Sequence, residues 1–391
     1  MTERVYLDNA ATTPLDPGVA EAMRPWVEGE FGNPSSLHAP GRLAREAVEH
    51  ARQQVAALLN ADPGELVFTG SGTEADNLAL IGISDSFPPG EFHLVTSRIE
   101  HPAVLSTCDY LTRRGAEVTY LPVEANGIVS PASLQAALRP TTRLVSIMAA
   151  NNVTGAVQPV AELARVAHEY GALFHTDAVQ AVGKLPLDVR AQSIDLLSLS
   201  AHKLYGPKGV GVLYLRAGVE LEPLVHGGGQ EGGLRSGTEN VAGLVGLGKA
   251  AALAFASLAE ENARLVQMGE RILTDLASSV PHAYLIGDRY RRLPGHLCVG
   301  FQGQEGEAIK LLLVLDELGI SVSTGSACSA HHAGEPSSVL LAMGFDPVRA
   351  RGSLRITLGR FNTDADVDRL LKALPEAVES LRPITTHSPT T

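Results

Sequence analysis

The amino-acid sequence predicts an α/β protein: a mostly parallel, seven-stranded sheet flanked by helices, followed by a smaller C-terminal α/β domain. Three observations predict it. Between residues 65 and 215, seven short β-rich runs alternate with longer helical patterns, as βαβ units require. The runs are near-continuously apolar, which suits strands covered on both faces. The chain has 391 residues, more than one hydrophobic core usually holds, so two domains are expected.

In order, the runs are LVFTG from Leu66, FHLVTSRIE from Phe92, EVTYLPV from Glu117, RLVSIMAA from Arg143, ALFHTDAVQ from Ala172, DLLSLSAH from Asp195 and GVGVLYL from Gly209. Between two of them, QPVAELARVAHEYG carries proline in its first turn and ends on glycine, as a crossover helix should. A long helical stretch runs from after Glu239 to about Ser279. The β pattern then restarts with HAYLIG, HLCVGFQG, ISVSTG and SLRITLG, with a helix expected at GEAIKLLLVLDELG. The expected division is a large domain over residues 15–255 and a small one over 1–14 plus 256–391, the latter carrying a mobile loop at about 322–336. The polar, proline-bearing tail RPITTHSPTT reads as disordered.

Composition excludes several classes of function. The net charge of −12 and the lack of a basic block argue against direct nucleic-acid binding, which rests on neutralising phosphates with Lys and Arg. Three widely spaced cysteines, Cys108, Cys298 and Cys328, form no CxxC, so neither a disulfide framework nor a zinc site is indicated. The start MTERVYLDNA has no apolar signal core, which makes the cytoplasm the expected location. The apolar stretch from Val241 to Ala259 holds Lys249 near its middle, at roughly 2.5–3.5 kcal/mol on insertion scales, and reads as a buried helix rather than a membrane span.

In a sheet of this kind ligands bind outside the carboxyl ends of the strands, so the residues after each run carry the functional signal. TGSGTEADN follows the first run, a plausible anion cradle at a helix start, although ordinary capping explains it equally. Glu100, His101 and Pro102 follow the second, NNVTG the fourth, Asp177 and Gln180 the fifth, and Ser200, His202 and Lys203 the sixth. Each alone has a plainer reading as a turn, a cap or a solvated lysine. Together, a phosphate cradle, a neutralising acid, a histidine and a lysine on one sheet edge match what pyridoxal phosphate requires.

These residues resemble the cysteine desulfurases, a family of pyridoxal-phosphate enzymes of fold type I. The resemblance spans nearly the whole chain and rests on YLDNAATTP, FGNPSSLH, FTGSGTEADN, EHPAVL, HTDAVQAVGK, SAHKLYGPKGVG, GGGQEGGLRSGTEN, TGSACS and RITLGR, in that order. It is closest to the group that serves general or nitrogen-fixation iron–sulfur assembly. It implies that Lys203 holds the cofactor as a Schiff base, Asp177 pairs with the pyridinium nitrogen and His101 stacks over the ring. Gln180 would hydrogen-bond the phenolic oxygen, while Gly72, Thr73, Ser200 and His202 hold the phosphate. Thr238 would reach the phosphate of the other subunit of a homodimer. Asn152, at the cofactor's edge, and Arg355 would bind the substrate carboxylate, with Asn33 as a neighbour.

The implied reaction converts L-cysteine to L-alanine. Lys203 abstracts the Cα proton, and Cys328 takes the sulfur as a persulfide for an acceptor such as an iron–sulfur scaffold protein. Cys328 lies among small residues in TGSACSAHHAG, as suits a thiol that must travel, and could transiently ligate a cluster. Cys108 and Cys298 fall inside helical and strand patterns and read as packing residues. Val153 stands where the family often carries glutamate, and the tail departs from the pattern associated with scaffold docking. A selenocysteine lyase or an aminotransferase on the same scaffold, and a non-catalytic scaffold protein, are the alternatives.

Overall fold

The computed structural model describes residues 4–88, 90–280, 282–325 and 335–381. The N-terminal segment contributes β1 (Val5–Tyr6), α1 (Pro17–Glu28) and α2 (Ala39–Leu59). There follow β2 (Leu66–Thr69), α3 (Gly72–Asp85), β3 (His93–Ser97), α4 (Pro102–Arg113), β4 (Glu117–Leu121), α5 (Pro131–Ala137), β5 (Thr142–Ser146), α6 (Val160–Glu169), β6 (Leu173–Asp177), β7 (Leu196–Ser200) and β8 (Gly211–Leu215). The seven strands β2 to β8 form one sheet in the order β2-β8-β7-β6-β5-β3-β4. Only β8 runs antiparallel to its neighbours, β2 and β7. The carboxyl ends of the other six therefore share one edge.

Alternation along the strands explains their continuous apolarity. Val95, Val145, Phe174, Leu197 and Val212 enter one buried cluster, while Leu94, Leu144, Leu196 and Leu213, one residue before or after, enter another on the opposite face. Both faces are covered by helices, so both must be apolar.

The 39-residue α7 (Val241–Ser279) runs from one core into a second. Its first half places Leu244, Leu247, Ala250, Ala251 and Ala254 in the large core. Its second half places Leu265, Met268, Ile272 and Leu276 in a separate cluster. By length and composition α7 could cross a membrane. Here small residues line its contact with α2, where Gly248 lies against Ala51 so tightly that a Cβ would meet the Ala51 Cα at 2.6 Å. The domain boundary expected near residue 255 falls within this unbroken helix.

Beyond α7 come β9 (Ala283–Leu285), β10 (His296–Phe301), α8 (Ala308–Glu317), β11 (Ile320–Ser321), β12 (Ser323–Thr324), α9 (Ser338–Ala342), β13 (Ser353–Thr357) and α10 (Asp364–Ser380). β12-β13-β10-β9 form an antiparallel sheet, while β11 pairs in parallel with β1. ISVSTG, expected as one strand, is thus divided at Val322 between two sheets. The division lets the N-terminal segment dock: Leu7 N donates to Ser321 O at 2.8 Å and Thr357 N to Leu7 O at 2.8 Å.

Candidate active site

A cavity of about 540 Å³ opens at the shared carboxyl edge of the large sheet. One part of its wall is built by the β2–α3 turn. Ser71 caps α3 by accepting from Glu74 N at 3.1 Å, and Glu74 reaches back to accept from Gly70 N at 2.8 Å. Gly72 and Thr73 then form the first turn of α3 at the cavity wall, where unpaired N–H groups and the helix dipole favour an anion. A Cβ on Gly72 would meet Val179 Cγ2 at 2.6 Å, so the cradle closes only around glycine. Ser200 and His202 line the same cavity from the end of β7.

The other strand ends supply the remaining wall. His101 caps α4, its Nδ1 accepting from Ala103 N at 3.1 Å, so the capping role and a place at the cavity coexist. Asn151, not Asn152, organises the NNVTG turn: its Oδ1 accepts from Val153 N and Thr154 N, both at 2.9 Å. Asn152 lines the cavity. Asp177 ends β6 with its Oδ1 accepting from Val179 N at 2.9 Å. Gln180 Nε2 donates to Ala10 O at 2.9 Å, and Lys203 Nζ donates to Ala10 O at 2.6 Å and to Ala11 O at 2.7 Å. His202 Nδ1 lies 3.0 Å from Thr12 Oγ1, and burial together with the neighbouring lysines pulls its imidazole down to about 4, so it is neutral.

Beneath Asp177 lies a buried polar layer. His175 bridges Ser146 Oγ at 2.8 Å and Ser198 Oγ at 3.0 Å, and burial lowers its pKa to about 3. Its Nε2 is 3.7 Å from Asp76 Oδ1, an oxygen with no hydrogen-bond partner in the structure. Burial, reinforced by the charge of Asp177, raises the Asp76 carboxyl. Burial also raises Asp177, but His101 and Lys203 oppose that shift, so of the two Asp177 is the better placed to carry the negative charge. Glu100 accepts from Met148 N at 2.9 Å and is pushed up to about 8 by burial.

The small domain closes the far side. Arg355 on β13 is only 2% exposed, yet it lines the cavity. Its Nη1 donates to Asn152 O at 2.9 Å and its Nη2 to Asp8 Oδ1 at 2.8 Å.

The residues present fit pyridoxal phosphate. The glycine-tight cradle suits a dianion, and the buried carboxyl groups of Asp177 and Asp76, one oxygen of Asp76 lacking a hydrogen-bond partner, suit a protonated ring nitrogen in the same cavity. Lys203 supplies the amine that an aldehyde in this cavity requires.

Gly72, Thr73, His101, Asn152, Asp177, Gln180, Ser200, His202, Lys203 and Arg355 all line the cavity, as the sequence leads one to expect. Two other expected residues do not. Asn33 is exposed, its Oδ1 accepting from Ser35 N at 2.9 Å in a local turn. Thr238 is exposed beside a separate cavity of about 200 Å³. Cys328 lies outside the described residues. Cys108 and Cys298 are buried, and burial raises their thiols to about 12 and about 11. Sequence reasoning missed Asp8 and Asp76, although both stand in quoted motifs. The signal for Asp76 was an acid one helical turn inside α3; Asp8 carried none, because its partner Arg355 lies 347 positions away.

The chain matches the family model for aminotransferase class V over residues 5–370. It is 46% identical to a cysteine desulfurase IscS of Dictyoglomus turgidum (strain DSM 6724 / Z-1310) over 387 residues, covering 99% of this chain and 98% of the relative. A solved NifS-like protein superposes with a TM-score of 0.90 at 39% identity, covering 97% of this chain and 100% of that one. The solved structure of SspA in complex with cysteine does so with a TM-score of 0.81 at 38% identity, covering 92% and 100%.

Proposed function

Since the chain belongs to the class-V aminotransferase family, in which it is a pyridoxal-phosphate-dependent cysteine desulfurase, we propose the following division of labour among its residues. Bound pyridoxal phosphate supplies the electron sink that lets an amino acid lose its Cα proton. Lys203 anchors the cofactor and, once displaced by substrate, takes the Cα proton on Nζ. Asp177 keeps the proton on the ring nitrogen, and its burial away from water strengthens that pairing. His101 covers the ring. Gly72, Thr73, Ser200 and His202 hold the phosphate. Gln180 donates to the phenolic oxygen. Arg355, with Asn152 beside it, receives the substrate carboxylate on its planar fork.

The Cys328 thiolate attacks the substrate sulfur, forming an S–S bond as the C–S bond breaks. The electron pair stays with the carbon skeleton, which is protonated and leaves as L-alanine. The persulfide on Cys328 then passes its outer sulfur to an acceptor protein for iron–sulfur assembly. The active enzyme is a cytoplasmic homodimer in which Thr238 and Asn33 serve the neighbouring subunit's site; their exposure away from the chain's own cavity supports this reading. Transient ligation of a nascent cluster by Cys328 belongs to the same proposal.

The convergence of Lys203, Asp177 and the Gly72 cradle on one cavity carries this reading. Borohydride reduction of the holoenzyme, followed by peptide mapping, tests it. The cofactor is expected on Lys203, and attachment to another amine would reject the assignment.

A further inference from the structure

Behind the cavity lining, a lysine that the mechanism above does not use touches one of the lining residues, Gln180. Lys184 lies one turn beyond Gln180, half-buried, with Nζ 3.4 Å from Gln180 Oε1. The other end of the same amide is also engaged, since Gln180 Nε2 donates to Ala10 O at 2.9 Å. These two partners permit only one orientation of the amide. A backbone carbonyl can only accept, so it selects the NH2 end. A lysine ammonium in contact with the opposite end selects the carbonyl oxygen. A flipped amide would set oxygen against oxygen at Ala10 and NH2 against Nζ.

The consequence falls on the ligand. With Oε1 facing Lys184 and one Nε2 hydrogen on Ala10 O, the group left to Gln180 at the cavity is its second N–H. We propose that Lys184 is a positioning residue: by donating to Gln180 Oε1 it locks that amide with its donor edge toward the cofactor's phenolic oxygen. The inference rests on the assignment of Gln180 to that oxygen.

The surrounding charges bear on how the lock behaves. Burial, with like charge from Lys203 and Arg355 and opposed by Glu261, pulls the Lys184 amine down to about 7. The ammonium can only donate and so selects Oε1, whereas the neutral amine can also accept; above this pH the Ala10 carbonyl alone keeps the orientation, so the lock is strongest with Lys184 charged. The position of Ala10, which accepts from Lys203 as well, is itself fixed by Ala10 N donating to Thr357 Oγ1 at 3.0 Å. Lys184, Gln180, the Ala10 carbonyl and Lys203 thus form one hydrogen-bonded row, of which Gln180, Ala10 and Lys203 line the cavity and Lys184 stands behind it.

A donor to the phenolic oxygen favours the form in which that oxygen bears more charge, and so lowers the pH at which the bound cofactor's visible absorbance titrates. The experiment measures that midpoint in the holoenzyme for the wild type, Gln180→Leu, Lys184→Met, Lys184→Arg and the Gln180→Leu/Lys184→Met double variant. Loss of one hydrogen bond to a charged group is expected to raise the midpoint by about one pH unit in Gln180→Leu. Lys184→Met is expected to raise it by a similar amount, and Lys184→Arg, which restores a donor, to return it to within about 0.3 unit of wild type. The double variant is expected to shift no further than Gln180→Leu alone, because the two residues act as one unit.

Additive shifts in the double variant would show Lys184 acting through its charge alone and overturn the proposal. So would an unchanged midpoint in Lys184→Met while Gln180→Leu shifts. No shift in Gln180→Leu would instead reject the assignment of Gln180 and remove the inference with it. Lys184→Leu serves the same comparison if the methionine variant is recovered without cofactor.

Discussion

Arg355 and Asp8 form a part-buried ion pair, with Nη2 of the buried Arg355 2.8 Å from Asp8 Oδ1. The pair joins strand β13 of the small core to the segment that carries Ala10 and Ala11, the carbonyls on which Lys203 rests. Substrate recognition and the Lys203 anchor are therefore mechanically connected through residues almost 350 positions apart in the chain.

Arg355→Lys tests the fork. Because Nη1 is held by Asn152 O and Nη2 by Asp8, the guanidinium plane is fixed before substrate arrives, and a lysine cannot reproduce that geometry. Losing one hydrogen bond to a charged group costs about 1.5–3 kcal/mol, a rise in KM for L-cysteine of roughly 10- to 150-fold. Steady-state kinetics of alanine formation checks this, and an unchanged KM would remove Arg355 from substrate binding.

Gly72→Ala tests the cradle. The new Cβ would stand 2.6 Å from Val179 Cγ2 and 3.4 Å from Ser200 Cβ, in a wall with no slack. Overpacking of this kind costs about 1–3 kcal/mol, which should weaken cofactor affinity by roughly 5- to 150-fold. Absorbance titration of the cofactor-free variant with pyridoxal phosphate measures it. Wild-type affinity would mean that the phosphate sits elsewhere.

Glu100→Gln tests a buried acid. The folded-state pKa of about 8 lies above the ordinary value of 4.5, so between those limits the folded chain holds a proton that the unfolded chain releases. Stability from this group is present below pH 4.5 and declines as pH rises through 8. His175 and His202 act oppositely: with folded values of about 3 and 4 against 6.5, they lower stability as pH falls below 6.5. Urea unfolding of wild type and Glu100→Gln from pH 5 to 8.5 should show the variant losing the decline that Glu100 imposes between pH 4.5 and about 8, so that the two curves diverge across the whole scan while the histidine contribution below pH 6.5 is common to both. Parallel curves would place the Glu100 proton wrongly.

Thiol chemistry separates the three cysteines. A thiolate is the nucleophile, and burial drives Cys108 and Cys298 far above neutral pH. Brief iodoacetamide treatment of the native protein should label Cys328 alone. After incubation with L-cysteine, mass spectrometry should find the extra sulfur on the same residue. Cys328→Ser should form no persulfide, and sulfide release from it at the full rate would reject the assignment.

Much of the site is legible in the sequence because each functional residue follows a strand. The end of a strand, the turn and the first helical residue are local features, so GSGT after LVF and AHK after LLSLS announce their place without tertiary information. Repetition along five strands then makes a shared edge the economical reading. Asn151 and Asn152 show the limit: adjacent and identical in type, one is consumed by the turn and the other faces the cavity. Neighbouring side chains diverge by an angle that depends on the turn, and no composition signal encodes it.

The residues that come from far away were the hidden ones. Local alternation and apolar periodicity predict the sheet and its edge, and the polar residues at the strand ends together match pyridoxal phosphate, while their individual roles came from the resemblance to the cysteine desulfurases. The pairing of Asp8 with Arg355, the splitting of ISVSTG between two sheets and the locking of Gln180 between Lys184 and Ala10 arose only on folding. Each joins segments whose closeness follows from the burial of two cores along one helix. Packing of that kind is a property of the whole chain at once, so no single stretch of residues contains it.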